Sequence, residues 1–281
     1  MQQFALDNNK QYINSNEALT GINYYCPECE SIMRVRGGDH YRYHFYHLKK
    51  NEYCRQSSKS IIHLNIQNYI EKELKNNGYD VKQENPFSII HRIADVCCHN
   101  LKLIFEVQCS HIKPEEIRAR NRDYNSIGYD VVWILSDKKL YNKYTLTPAE
   151  KYLGNLMHYY SNIDNNGKGS IYDQFQTVIN NKRYYRHYRH NIDLSKPNKF
   201  KEKINNKSIG TRYFKWDYYF NNDLYQYLLE HPDTALFKIM QREERKIIHN
   251  KVFTHLTLIQ KSLKKYAQNI LNFLIDQSIS K

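Results

Sequence analysis

The chain is 281 residues long with 41% hydrophobic residues, enough to bury one large core or two modest ones. Its 42 Lys and Arg exceed its 29 Asp and Glu to leave a formal charge of +13, which favours a polyanionic partner because each neutralised phosphate releases condensed counterions. No apolar run reaches the roughly 20 residues of a membrane span, and the N-terminus lacks a basic segment followed by an apolar one, so the expectation is a cytoplasmic protein with no membrane partner.

Tyr alone accounts for 26 residues, and Tyr-rich basic surfaces suit nucleic acid, where rings stack on bases and cations hold phosphates. A composition weighted toward Asn, Lys, Tyr and Ile has the same flavour without any ligand. The six cysteines do not form a disulfide framework in a chain of this length; in a reducing compartment they read as metal ligands and buried thiols.

Residues 1–58 carry little helical periodicity and hold a metal-like spacing. Cys26-Pro27-Glu28-Cys29 is a tight turn that aims two thiolates at one point, as in a zinc knuckle. His44, His47 and Cys54 follow, giving five candidate ligands for four places. Cys26 and Cys29 lead, His47 is next, and His44 and Cys54 compete for the last. Gly37-Gly38-Asp39 supplies the turn of a hairpin between the two ligand groups. A redox dithiol would need a thioredoxin-like βαβ context, which does not precede Cys26. So few apolar residues would fold poorly alone, and a structural zinc would supply the missing free energy.

Residues 59–137 alternate helix and strand patterns. Ser60 caps a helix with Ile62, Ile66, Tyr69, Ile70 and Leu74 near one face, ending at Asn76-Asn77-Gly78. Tyr79–Glu84, Ser88–Cys98 and Leu101–Gln108 read as three strands, the last two joined at His99-Asn100. Pro114 opens a second helix, which carries Ile117 and Tyr124 inward and stops at Gly128. Tyr129–Leu135, with Trp133, reads as a buried strand. Cys97, Cys98 and Cys109 read as buried thiols.

Residues 138–281 are expected to be basic, Tyr-rich and mainly helical. Positions 181–215 hold eleven Lys and Arg against Asp193 and Glu202, interleaved with aromatic rings, and helical patterns return from Asn222 and again over 247–275. Arg183, Arg186 and Arg189 are candidates for DNA backbone contacts, a solvated loop being the competing reading.

Asp95 and Glu106 interrupt apolar strands, where an unpaired charge is expensive. Glu106 and Gln108 share a strand face, and a short turn between strands can set Asp95 beside Glu106. Two such carboxylates suit Mg²⁺ or Mn²⁺, with Glu84 a third acid. The competing reading is an ion pair with Arg92, Arg118 or Arg120. Arg120 and Tyr124, one turn apart, are candidates to reach a phosphate, with core packing the alternative for Tyr124.

The segments His91–Val96, Ile104–Ser110, Arg120–Tyr124 and Val132–Leu135, with Cys26-Pro27-Glu28-Cys29, His44, His47 and Cys54 before them and His63-Leu64 on the first helix, resemble the competence protein CoiA-like family of the PD-(D/E)XK nuclease superfamily. The resemblance covers about residues 22–137. It implies an α/β restriction-endonuclease-like core (αβββαβ) over 59–137, a zinc-binding module over 1–58, and a DNA endonuclease, a hydrolase of phosphodiesters acting in DNA uptake, recombination or repair. In that reading Asp95 and Glu106 hold Mg²⁺ or Mn²⁺, Gln108 takes the place of the superfamily's active-site Lys, and Glu84 and His63 support them. The partner is DNA, single-stranded or branched forms included, with recombination proteins beside it. The chain departs from the family pattern in having Lys59 and Ser60 where an acidic residue often precedes the His, and Gln67 where a Lys often follows it. The rival function is a catalytically weak DNA-binding recombination accessory on the same scaffold.

Overall fold

The computed structural model describes residues 2–38, 41–49, 54, 59–141, 144–199, 218–231, 234–240 and 242. The N-terminal part is an antiparallel five-stranded sheet in the order β2-β1-β3-β4-β5, with β1 at Phe4–Leu6, β2 at Tyr12–Asn14, β3 at Tyr24–Tyr25, β4 at Ile32–Gly38 and β5 at Tyr41–His47. β4 and β5 form the expected hairpin. A Cβ at Gly37 would sit 2.5 Å from the Tyr43 backbone, so the close approach of the strands requires glycine there. The core of this sheet is small: Ala5, Tyr24, Met33, Val35 and Phe45, completed by Cys26 and Cys54.

Residues 61 to 136 run helix, three strands, helix, strand. Helix α1 (Ile61–Lys75) starts where Ser60 accepts a hydrogen bond from the His63 N–H, and it closes at Asn76 ahead of Gly78. Strands β6 (Val81–Phe87), β7 (Arg92–Cys98) and β8 (Leu103–Gln108) form an antiparallel meander. Ser88–Ile90, expected as strand, is instead a 3-10 turn that ends at His91 in the left-handed region (φ +50°), so β7 begins at Arg92. Helix α2 (Pro114–Ser126) begins with Pro114 and gives way to Gly128 (φ +80°), and β9 (Asp130–Ser136) runs parallel to β8. Two cores result. Val96, Phe105, Val107, Val132 and Ile134 pack toward Ile66, Ile70 and Leu74 of α1; Ile104, Val131, Trp133 and Leu135 pack toward Ile117 and Tyr124 of α2. Cys97 and Cys98 are fully buried, and burial pushes the Cys97 thiol up to about 12.

The sheet does not stop at 137, the boundary expected from the sequence. After α3 (Pro148–Leu153), β10 (His158–Ser161) pairs in parallel with β9, and β11 (Ile171–Asp173) continues antiparallel beyond it. The hairpin of β12 (Gln176–Ile179) and β13 (Lys182–Arg186) precedes β14 (His190–Asn191), which closes a seven-stranded sheet of order β14-β11-β10-β9-β8-β7-β6. β15 (Asp193–Lys199) pairs with β16 (Tyr218–Asn221), and α4 (Leu224–Glu230) lays Leu224 and Leu228 onto the α1-side core. The expectation of a mainly helical 138–281 is corrected over 144–199, where strands prevail. Runs such as His158-Tyr159-Tyr160 and Ile171-Tyr172 are aromatic and β-branched and favour a pleated, buried setting. The cations at 201–215 and the helical pattern over 247–275 lie outside the described residues. No helix among the described residues is long and apolar enough to cross a membrane.

Candidate active site and metal cluster

β7 and β8 pair as far as Val96 opposite Phe105. Beyond that point the Val107 N–H bonds to Asp95 Oδ2 at 2.9 Å, so the carboxylate takes over from the strand ladder. Its other oxygen receives Lys59 Nζ at 2.8 Å, His63 Nε2 at 3.1 Å and the Gln67 amide at 3.3 Å; Gln67 also donates to the Asp95 carbonyl at 2.8 Å. His63 and Gln67 lie one turn apart on α1, which is how a helix aims two side chains at one point. Burial by itself would raise the Asp95 pKa; His63 and Lys59 beside it outweigh burial and hold the carboxyl well below the usual carboxylate range.

Glu84 is buried and, at φ +47°, in a left-handed conformation uncommon for a residue with a side chain. One of its oxygens meets Lys59 Nζ at 2.9 Å, and the other accepts the Gln3 N–H of the N-terminal sheet at 2.6 Å. Glu106, fully buried, turns to α2: Tyr124 Oη donates to Oε1 at 2.8 Å, and Arg120 is ion-paired with Oε2. Burial pushes the Glu106 pKa up despite Arg120. Arg120 also bonds Glu116 at 2.9 Å, and Arg92 binds Glu116 and Asp123, which extends the charge network across α2. The Gln108 amide donates to the Ser110 carbonyl at 2.6 Å.

A cleft of about 990 Å³ opens at this end of the sheet, with Lys59, His63, Asp95, Gln108 and Arg120 on its walls. The structure thus brings His63, Asp95 and Glu84 together through Lys59, while Glu106 is held from the other side of the sheet by Arg120 and Tyr124. The ion pair weighed for Glu106 is formed with Arg120. Among the Arg candidates farther along, Arg183 is buried on Glu150 at 2.6 Å and Gln176 at 2.8 Å, so it braces the fold and presents no face to a phosphate. Arg189 is half-exposed, 3.3 Å from Asp137 and over the Tyr172 ring. The side chain of Arg186 lies outside the described residues.

Among the described residues, the only gathering of three or more His, Cys, Asp or Glu ligand atoms is Cys26, Cys29, His47 and Cys54, all within 4.8 Å of one another. Cys26 and Cys54 sulfurs are 3.5 Å apart, and Cys29 Sγ is 3.3 Å from His47 Nε2. Sulfurs bound at roughly 2.3 Å to one tetrahedral ion stand about 3.8 Å apart, so this Cys3His set could bind zinc. The Cys54 thiol, ahead of opposing burial and helped by backbone N–H groups, brings Cys26 down to about 5, the ionised form a metal needs. His44 is excluded from the set. Three residues from His47 on one strand, it faces the other way and takes the Arg36 Nε–H at 3.0 Å.

Lys59 and Gln67 are the site residues that sequence reasoning missed. Both were visible as departures from the family pattern around His63; no local spacing shows that a residue ahead of a helix cap reaches two strands.

Residues 59–201 match the family model described as "Competence protein CoiA, nuclease-like domain", and residues 7–57 match "Competence protein CoiA, N-terminal domain". No curated protein matches the chain, and no solved structure does. The nuclease-like match alone takes in half of the sequence, the cleft and every residue around Asp95, and the chain belongs to the competence protein CoiA-like family.

Proposed function

We propose that this protein is a Mg²⁺- or Mn²⁺-dependent DNA endonuclease with a PD-(D/E)XK core over 59–137 and a zinc-held module over 1–58, acting in the cytoplasm on DNA during uptake, recombination or repair. The observation that carries the reading is Asp95, ionised where β7 and β8 part, on the wall of a cleft large enough for a DNA backbone. Carboxylate oxygens are the donors a hard divalent cation takes, and Asp95 and Glu106 stand on neighbouring strands; Glu106 would have to release Arg120 to share an ion with Asp95. Asp95 and Glu106 would hold it, and when bound it would supply an acidified water and a polarised phosphoryl oxygen.

The chain's own residues divide the remaining work. His63 and Gln67 fix the Asp95 carboxylate in one orientation. Gln108 carries no titratable proton, so its amide orients a water or a phosphate oxygen once it leaves Ser110. Arg120, on the cleft wall, offers a guanidinium to a phosphate, and Tyr124 holds Glu106.

The test is cleavage of labelled single-stranded, duplex and branched DNA with Mg²⁺, Mn²⁺ or chelator. Cutting should need the ion and be lost in Asp95→Asn and Glu106→Gln. One observation favours the scaffold reading: both oxygens of Glu106 are already taken by Arg120 and Tyr124. Tight DNA binding without cutting, unchanged in both variants, would establish that reading instead.

A further inference from the structure

Lys59 occupies a place that its sequence position does not suggest. It precedes the Ser60 cap, yet its side chain is only 10% exposed, its ammonium is 2.8 Å from Asp95 and 2.9 Å from Glu84, and it lines the same cleft as Gln108. We propose that Lys59 is the catalytic lysine of this centre, a cation brought from the segment ahead of α1 to the phosphate site where β8 offers only the neutral Gln108, and that Glu84 is its positioning residue. The proposal rests on the nuclease reading.

Three observations carry it. Burying an ammonium and two carboxylates is costly, and well-packed apolar residues hold a core together as well or better, so stability does not account for the trio. Glu84 adopts a left-handed backbone inside a strand, and backbone strain of this kind collects at functional sites. That backbone aims one Glu84 oxygen at Lys59 while the other is fixed by the Gln3 N–H, so the lysine is oriented from the N-terminal sheet as well as from Asp95. Third, Gln108 is turned onto Ser110 and has no charge to give.

In the reaction a water oxygen bonds to phosphorus as the ester P–O bond breaks. The electron pair of that bond leaves with the departing oxygen, which takes a proton from solvent, and the attacking water gives one up to solvent. Lys59, a side chain that is ordinarily an ammonium at neutral pH, stabilises the negative charge on the non-bridging oxygens.

The experiment measures kcat and KM for DNA cleavage with Mn²⁺ by the full-length wild type and by Lys59→Met, Lys59→Gln, Lys59→Arg and Lys59→Met/Gln108→Lys. Circular dichroism checks each fold; Lys59→Gln retains a donor for both carboxylates should the Met variant not fold. The neutral variants should lose about 100- to 1000-fold in kcat, the scale of removing one donor to a developing oxyanion, with KM moving less than about threefold. Lys59→Arg should stay within about tenfold of wild type, and a lysine at 108 should restore at least about tenfold to the Met variant, which a merely structural ion pair would not do. An active wild type whose folded neutral variants cut within about threefold of it, or lose only in KM, would overturn the role of Lys59. A wild type inert on every DNA form would overturn the nuclease reading and this proposal with it, a pattern distinct from the first.

Discussion

Asp95 and Glu106 show two ways of keeping a carboxylate inside a sheet. Asp95 lies among donors on every side, and His63 and Lys59 overcome its burial; Glu106 is further from water, and burial dominates even with Arg120 in contact. The consequence for Asp95 has a definite sign. An unfolded aspartate titrates near pH 4 and the folded one well below it. Asp95 therefore stabilises the fold above about pH 4, and that contribution is lost as pH falls below it toward the folded value. Urea unfolding between about pH 2.5 and 6 should show a steep acid limb in the wild type and a flatter one in Asp95→Asn; parallel limbs would mean that the Asp95 contacts hold no net free energy. For Glu106 the exposure is to its partner. Arg120→Gln leaves a fully buried carboxylate without its cation and should lower stability by about 3–5 kcal/mol at pH 7. The deficit should narrow toward pH 4, because protonating Glu106 removes the buried charge. A deficit independent of pH would show that Arg120 acts through packing.

At the level of elements, the five-stranded sheet has a core too small to stand alone, two of its seven buried residues being cysteines of the cluster. Metal binding and folding should therefore be one event. Chelation of the zinc-loaded protein should release one ion and abolish the tertiary signal of this sheet. Cys54→Ala should fail to retain zinc, whereas His44→Ala, outside the cluster, should retain a full equivalent; metal analysis after dialysis decides, and equal loss in both would place His44 among the ligands. The choice of Cys54 over His44 was not legible in the sequence, where both lie at plausible spacing. It follows from the two-residue period of β5, which sends His44 and His47 to opposite faces, and this needs the strand's register. Helix ends were legible for the converse reason: Ser60, Gly78, Pro114 and Gly128 act through their own backbone geometry and need no distant partner. The start of β7 was not, because the left-handed turn at His91 is unusual for a non-glycine residue and carries no local signature.

For the whole molecule, the order of elements from α1 to β9 was readable because each has its own hydrophobic period, while the extent of the sheet was not. Nothing local in β10 or β11 says that their pair joins the sheet at β9 rather than forming a separate unit. The cores show the dependence. Tyr159, Ile171, Ile192, Leu194 and Phe220 complete the α1-side core, and Tyr160, Tyr172 and Leu153 complete the α2-side one. Tyr159 further donates to Asp223, whose carboxyl is pushed up to about 7 by burial and by Asp173, so this region contains its own buried polar network. A chain ending after Asp137 would make the apolar strand β9, with Trp133 fully buried in the intact sheet, an edge strand that keeps α1 and α2 but loses the rest of its cover on both faces. Long, apolar, uncovered edges pair with other chains. The fragment 1–137 should therefore melt broadly, bind a hydrophobic dye and aggregate, whereas the full-length protein should unfold cooperatively under the same conditions. A sharp, reversible transition in 1–137 would show that αβββαβ is self-sufficient and that the later strands are an addition to it. The opposite result would make residues 144–199 part of the nuclease-like unit, in keeping with a family match that runs to residue 201.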